Sequence, residues 1–340
     1  MSRNYFDLVC LFGFSPHFEQ ITAFLDNSNI KCIATFSPRQ KDSVEALNLP
    51  KSVLKLCEQN LDDAFFEKTG IQNSQSLGIS FGSPFIFKQK DIDAFNGNLI
   101  NSHGAPLPAF KGGGGFSWRI LQGDKRGAAL MHFVSTKIDE GACVFRKDFL
   151  FSEEERFPRD LEERQIEEES KHLVPWIRKV ALGEIDLRKS SCNKKANLEP
   201  GSYFPRLSTD LHGCINWSLS IKDLESFILA FSRPYQGAYT YIKGHQARIM
   251  DAHIVEKKYM HPFTYGLIIN ADEEGYLVSC NGGVISIKHK DLHIKTSEFR
   301  VNCGDRLYTP ADILQRALSS RAFYKPNGLD IRNYALISEE

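Results

Sequence analysis

Three side chains in this 340-residue sequence have the types and spacing to move a proton and steady a growing negative charge: Asn101, His103 and Asp139. Asn101 and His103 stand two apart at the end of the apolar run Asn98–Asn101, so on a strand they point to one face. Asp139, in Ile138-Asp139-Glu140-Gly141, follows a second apolar run, Met131–Val134. A carboxylate beside an imidazole favours the imidazolium and fixes its orientation. A carboxamide N–H nearby can donate to an oxyanion. An Asn, His, Asp set of this kind suits attack by an amine on a carbonyl carbon.

Taken singly, each piece is commonplace. An N-x-H at a strand end is more often structural, and Asp139-Glu140-Gly141 alone reads as a turn. The tetraglycine Gly112–Gly115 lacks the Lys-Ser/Thr that completes a phosphate-cradling loop. Leu11–Pro16 lacks G-x-G-x-x-G, which argues against a dinucleotide oxidoreductase. The chemistry rests on the set being assembled, and therefore on the elements that must position it.

Those elements begin as alternating strands and helices. Leu8–Phe12 is an apolar run of the kind buried on both faces of a sheet. Ser15 and Pro16 then read as a helix start, with Phe18, Ile21, Phe24 and Leu25 as its stripe. Further strands are predicted at Cys32–Phe36, Ser76–Phe81 and Asn98–Asn101. Together these give an α/β fold, a Rossmann-like, mostly parallel sheet with helices on both faces. His103 follows directly on the fourth run, which puts it at a carboxyl edge, where such sheets bind ligands.

From Glu153 to about Leu182 the spacing predicts a charged helix. Its nine acidic and three basic residues between Glu153 and Glu169 read as a solvated face. A polar linker is expected over 186–210. Beyond it come the helix Ile221–Phe231 and six short β-like runs: 239–242, 248–255, 265–270, 276–280, 284–288 and 293–295. That pattern indicates a small, OB-like β-barrel. Thr309–Asp312 opens a last helix with a capping-box-like start. The expected organisation is a catalytic domain over 1–185, the linker 186–210, a barrel domain over 211–305, and a helix and tail over 306–340.

Composition narrows the partners. The sequence is 42% hydrophobic and 25% charged, ordinary for a globular protein, with 42 basic against 42 acidic residues. A nucleic-acid grip normally carries a basic surplus, so such a partner is not expected. No run approaches a membrane span or a signal-peptide core, and the eight scattered cysteines contain no C-x-x-C. Reduced thiols, a cytoplasmic location and no membrane partner are the expectation, with Cys10 and Cys32 as small buried hydrophobes.

As a whole, the series Asn101-Ser102-His103, Leu107-Pro108, Trp118, Gly123, Gly127 and Asp139-Glu140-Gly141 resembles the 10-formyltetrahydrofolate-dependent formyltransferase family. Ile215-Asn216-Trp217 and Ala230–Tyr241 resemble the C-terminal barrel of its methionyl-tRNA and sugar branches, which the small purine-pathway branch lacks. The likeness runs over roughly residues 6–300. It implies that His103 is the general acid/base, Asn101 the oxyanion donor, and Asp139 both the group that raises the His103 pKa and part of the folate side. Phe85, Ile86 and Phe87 would then grip the pterin, largely through backbone groups, facing Ser135, Thr136, Lys137, Ile138 and Asp139. For Phe85 and Phe87, core packing is an equally good reading. The co-substrate implied is 10-formyltetrahydrofolate, with no metal.

The loop after His103 departs from the family pattern. An Arg-Gly that helps hold the acceptor in relatives is replaced by Lys111 and the glycines, and an ammonium cannot reproduce a guanidinium fork. Lys111, Gly112, Gly113 and Trp118 are the expected acceptor contacts. The basic insertion with which methionyl-tRNA formyltransferases grip the acceptor stem is short here, at Phe36–Asp42. Residues 210–310 carry eleven basic and eleven acidic side chains. A nucleotide-linked 4-amino-4-deoxy sugar is therefore the expected acceptor, and methionyl-tRNA the alternative. A non-catalytic folate-fold binding protein and a hydroxyornithine-type formyltransferase are weaker readings. A homodimer is expected from relatives that use nucleotide sugars.

Overall fold

A computed structural model describes residues 6–190, 192, 201–295 and 300–334. Eight strands come first: β1 (Leu8–Gly13), β2 (Lys31–Phe36), β3 (Leu54–Cys57), β4 (Ser76–Phe81), β5 (Leu99–His103), β6 (Lys111–Gly112), β7 (Arg126–Phe133) and β8 (Cys143–Leu150). All but β6 form one sheet in the order β3-β2-β1-β4-β5-β7-β8. The first five of these run parallel, β7 runs against them, and β8 pairs antiparallel with β7 and so shares their direction. Helices α1 (Phe18–Asn27), α2 (Lys41–Glu45), α3 (Asp63–Thr69), α4 (Gln89–Ala94) and α5 (Gly115–Gln122) fall between these strands. One face of the sheet buries Val9, Leu11, Leu77 and Ile100 with α1, and the other buries Cys10, Phe12 and Leu99 with Phe65 and Phe95. Cys10 is fully buried, and loss of solvation pushes its thiol up to about 12, so it is inert filler as expected.

Local differences from the sequence reading have physical causes. Helix α1 starts at Phe18, because Ser15 and Pro16 belong to the preceding turn. The Ser15 hydroxyl accepts from His17 N at 3.2 Å. The charged helix starts at Pro158, not Glu153, and runs as α6 (Pro158–Glu168) and α7 (Val174–Ala181) through a wider turn at Glu169–Leu173. Phe157 precedes a proline and is held extended, which stops the helix propagating backwards. Its acidic run is not wholly solvated. Glu168 and Glu169 are buried, paired with Arg164 at 2.9 Å and hydrogen-bonded by Gln165 at 2.8 Å respectively.

In the segment expected as a linker, residues 191 and 193–200 lie outside the described residues. Within it β9 (Tyr203–Phe204) pairs with β6, so this stretch returns to the loop after His103. Helices α8 (Thr209–His212) and α9 (Ile221–Ala230) follow, then β10 (Ala238–Ile242), β11 (His245–Ile249), β12 (His253–Lys257), β13 (Ile268–Ala271), β14 (Gly275–Cys280), β15 (Gly283–Lys288) and β16 (Leu292–Ile294). They form a three-stranded sheet, β10-β11-β16, and a four-stranded one, β12-β15-β14-β13. The run read as one strand over 248–255 is two, because the chain crosses from one sheet to the other at Met250–Ala252. Ile215, Trp217, Leu224, Ile228, Phe231, Ile268 and Ile285 fill the space between the sheets, a small barrel-like core.

Helix α10 (Ala311–Ser319) starts without a side-chain cap, since the Thr309 hydroxyl turns to Thr240 instead, at 3.4 Å. The hairpin β17 (Ser320–Lys325) and β18 (Gly328–Asn333) then closes the described chain where a tail was expected; residues 335–340 lie outside it.

Candidate active site

Strand β5 delivers Asn101 and His103 to one face, and β7 pairs with it so that Asn101 opposes His132 and His103 opposes Leu130. The loop from β7 to β8 then folds Asp139 back over this face. Asp139 Oδ2 lies 3.7 Å from His103 Nδ1, and Oδ1 lies 3.5 Å from His132 Nε2. The three predicted residues therefore meet. Asp139 takes a left-handed conformation, φ 52°, and its Oδ2 accepts the Gly112 N–H at 2.8 Å, so the tetraglycine loop is fastened to the carboxylate. A side chain at Gly112, φ 93°, would run into the Phe204 carbonyl, so this close approach requires glycine.

The protonation pattern follows from the partners. His103 Nε2 lies 2.7 Å from the Phe110 carbonyl, which can only accept, so in the neutral ring the proton sits on Nε2. The Nδ1 lone pair then faces Asp139. Burial lowers the His103 pKa and outweighs the opposing pull of Asp139, so the ring is held below its ordinary 6.5. Asp139 acts in the expected direction and raises the pKa, but desolvation of a side chain only 12% exposed is the larger effect, so the net shift is downward. Burial also pushes the Asp139 carboxyl up. There His132, His103 and the Gly112 N–H win, and hold it down at about 2. The site in its resting state is thus a neutral imidazole next to a firmly ionised carboxylate.

His132 escaped the sequence reading, which took Met131–Val134 as an apolar run. Its signal was there, an imidazole inside a buried strand seven residues before Asp139. The ring is 3% exposed, with Nδ1 donating to the Phe133 carbonyl at 2.8 Å. Its Nε2 lone pair can then accept from Asn101 Nδ2 at 3.1 Å. That bond fixes which way the Asn101 amide points and leaves its second N–H free. Arg119 was also missed. Its buried guanidinium donates to the carbonyls of Gly104, Gly115 and Arg126 and so shapes the turn after His103. Burial lowers its pKa to about 9, still charged at neutral pH.

The other predicted residues are placed unevenly. Phe85 is buried against Phe12, and Phe87 packs beside it, so their rings belong to the core. Ile86 is exposed, and the backbone groups of Ile86 and Phe87 make no hydrogen bond among the described residues. Facing Asp139 on its own loop, Thr136, Lys137 and Ile138 are exposed and Ser135 turns to the Lys137 carbonyl at 2.9 Å. Lys111 is engaged by Glu140 at 2.8 Å. The only donor of Trp118 is committed to the Pro205 carbonyl at 2.7 Å, and its ring packs on Phe204, so Trp118 braces β9. Gly113 lies under the stem of Arg206, which occupies the space a side chain would need. A cavity of about 360 Å³ opens beside Asp139, lined also by Leu107, Lys111, Leu130, Cys143 and Arg146. Among the described residues no cluster of metal-ligating side chains is found, and no helix is long and apolar enough to cross a membrane.

Comparison with known proteins places this geometry. A structure of an N-formyltransferase from Helicobacter canadensis, in complex with folinic acid and dTDP-3-aminofucose, superposes with a TM-score of 0.57 at 15% identity, over 82% of this chain and 98% of that one. A sugar N-formyltransferase from a Shewanella species gives 0.56 at 15% identity, over 73% and 99%. In sequence, a methionyl-tRNA formyltransferase from Acetivibrio thermocellus is 25% identical over 60% of this chain, and the match spans 62% of that relative's length. The corresponding enzyme of Coxiella burnetii is 23% identical over 84% and 91%. The family model "Formyl transferase" matches residues 85–177, which hold Asn101, His103 and Asp139, and "Formyl transferase, C-terminal domain" matches 208–299. On both matches the chain belongs to the formyltransferase family of enzymes.

Proposed function

We propose that the protein transfers a formyl group from 10-formyltetrahydrofolate to the primary amine of a nucleotide-linked amino sugar, a 4-amino-4-deoxy sugar in the first instance. The observation that carries this is the convergence of Asn101, His103 and Asp139 on one face of the sheet edge, next to an open cavity. The folate fits the residues present. The free backbone groups at Ile86 and Phe87 can pair with a pterin, and the cavity is of the size ligand sites have. When bound, the folate supplies a carbon at the formyl oxidation level.

The chain's own residues do the rest. His103 Nδ1, unprotonated at neutral pH, takes the proton from the attacking amine and returns it to the departing nitrogen. Asp139 stabilises the imidazolium formed between those two transfers, as a carboxylate held at about 2 remains charged throughout. The free N–H of Asn101 donates to the carbonyl oxygen as it gains charge.

For the acceptor, the neutral balance over 210–310 and the short loop at Phe36–Asp42 favour a small molecule. The sugar enzymes among the superposed structures agree with that choice. The methionyl-tRNA enzymes among the sequence relatives favour the second reading, initiator tRNA. Formyl transfer from labelled 10-formyltetrahydrofolate, offered 3-amino and 4-amino sugar nucleotides and methionyl-tRNA, tests it. Transfer to an amino-sugar nucleotide is expected, whereas transfer to methionyl-tRNA alone reverses the assignment.

A further inference from the structure

The cations around the catalytic loop divide into those already engaged and those left free. Lys111 is paired with Glu140, Arg146 is held by Asp148 and the Leu107 carbonyl, and Arg119 is buried among carbonyls. Arg206 and Arg39 are different. Both are exposed, and neither has a carboxylate or hydrogen-bond partner among the described residues. Each instead lies on the ring of Tyr324, Arg39 at 4.6 Å and Arg206 at 5.5 Å from its centroid. The stem of Arg206 crosses Gly113, next to the glycine whose N–H holds Asp139, so its guanidinium is tied to the catalytic loop. Arg39 comes out of the short turn after β2.

Tyr324 stands on the β17–β18 hairpin, beyond residue 299 where the C-terminal family match ends. The hairpin is strapped to the segment that carries Arg206. Tyr324 Oη donates to the Leu207 carbonyl at 3.4 Å, Arg321 bonds the Tyr203 hydroxyl, and His212 Nε2 lies 3.2 Å from the Ser320 carbonyl. Two guanidiniums gathered on one ring, with no carboxylate partner among the described residues, offer planar forks from which a bound dianion can accept hydrogen bonds.

We propose that Arg39 and Arg206, ordered by Tyr324 of the C-terminal hairpin, bind the phosphate groups of the acceptor. This rests on the amine-acceptor reading above and supplies from Arg206 the guanidinium that the loop after His103 lacks. The test is titration of the full chain with inorganic pyrophosphate and with UDP, followed by calorimetry. The wild type binds both, and Arg39→Ala and Arg206→Ala each weaken binding about tenfold, the scale of a lost charge-assisted contact. Tyr324→Leu weakens it too, and more than Tyr324→Phe, which keeps the ring and loses only the bond to the Leu207 carbonyl; equal effects of the two would remove the ring from the site. Wild-type chain that binds neither probe, or an Arg39→Ala/Arg206→Ala double variant that binds as well as the wild type, overturns the site. Displacement of UDP by an acceptor-stem RNA hairpin at lower concentration than by a free nucleoside diphosphate assigns the same phosphate contacts to RNA. Arginine-dependent binding without transfer to any amino-sugar nucleotide leaves the site standing and removes the proposed acceptor. Transfer with an unchanged KM in the double variant does the reverse.

Discussion

The sheet edge around His103 and the interior of the C-terminal barrel both bury polar side chains, and they do so in opposite ways. In the barrel the buried polar groups are hydroxyls and an indole. The Trp217 N–H donates to Thr240 Oγ1 at 2.9 Å, and that hydroxyl donates in turn to the Tyr308 carbonyl at 2.9 Å. Both of these donors have an acceptor, and neither group titrates near neutrality. At the sheet edge the buried groups are two imidazoles and a carboxylate, 3.5 and 3.7 Å apart at their closest, too far for a strong hydrogen bond. Satisfied polar groups lock a core, while titratable groups with slack between them keep protons available to a substrate.

If that contrast holds, substitutions at the two places separate activity from stability. His103→Ala should have the largest effect, a loss of roughly 10²–10⁴ in formyl-transfer rate at nearly unchanged folate affinity. Folate binding lost in parallel would break the contrast. Asn101→Ala should cost about 10²–10³ in kcat, measured at saturating donor. In the barrel, Trp217→Ala should destabilise by about 3–5 kcal/mol in denaturant unfolding. The fraction that remains folded should keep the wild-type kcat, and a kcat loss as large as that of Asn101→Ala would place chemistry in the barrel.

The subtlest effect concerns pH. Because burial holds His103 below 6.5, kcat/KM should fall only as pH drops through that lowered value, where the imidazole takes up a proton and ceases to be a base. Asp139 opposes the lowering. Asp139→Asn should therefore move the acid limb to still lower pH, in addition to slowing transfer through loss of the counter-charge. A limb that moves to higher pH would show that Asp139 does not face the ionising imidazole.

Much of this was legible in the sequence, for reasons that differ between elements. β1, β2, β4 and β5 declared themselves because buried parallel strands are continuous apolar runs. β3 (Leu54–Cys57) did not, since on the sheet margin only Leu56 is buried. The candidate site residues Asn101, His103 and Asp139 could be read because an imidazole, an amide and a carboxylate at strand ends are chemically conspicuous. Arg119, equally important to the loop's shape, carried no signal in the sequence, because its role comes from burial among three carbonyls. The link from Phe204 and Arg206 to the glycine loop is a contact about 93 residues apart in sequence, for which no local pattern exists. The direction of the His103 shift was also beyond reach, because it depends on how completely the fold excludes water.

The most direct measurement is a crystal structure of the protein with a 5-formyl-tetrahydrofolate analogue. The account predicts the pterin between the Phe85–Phe87 and Ser135–Asp139 loops, with the formyl-bearing side within hydrogen-bond reach of Asn101 and His103. A folate bound elsewhere, with Asn101, His103 and Asp139 left apart from it, would contradict the assignment of these three residues to formyl transfer.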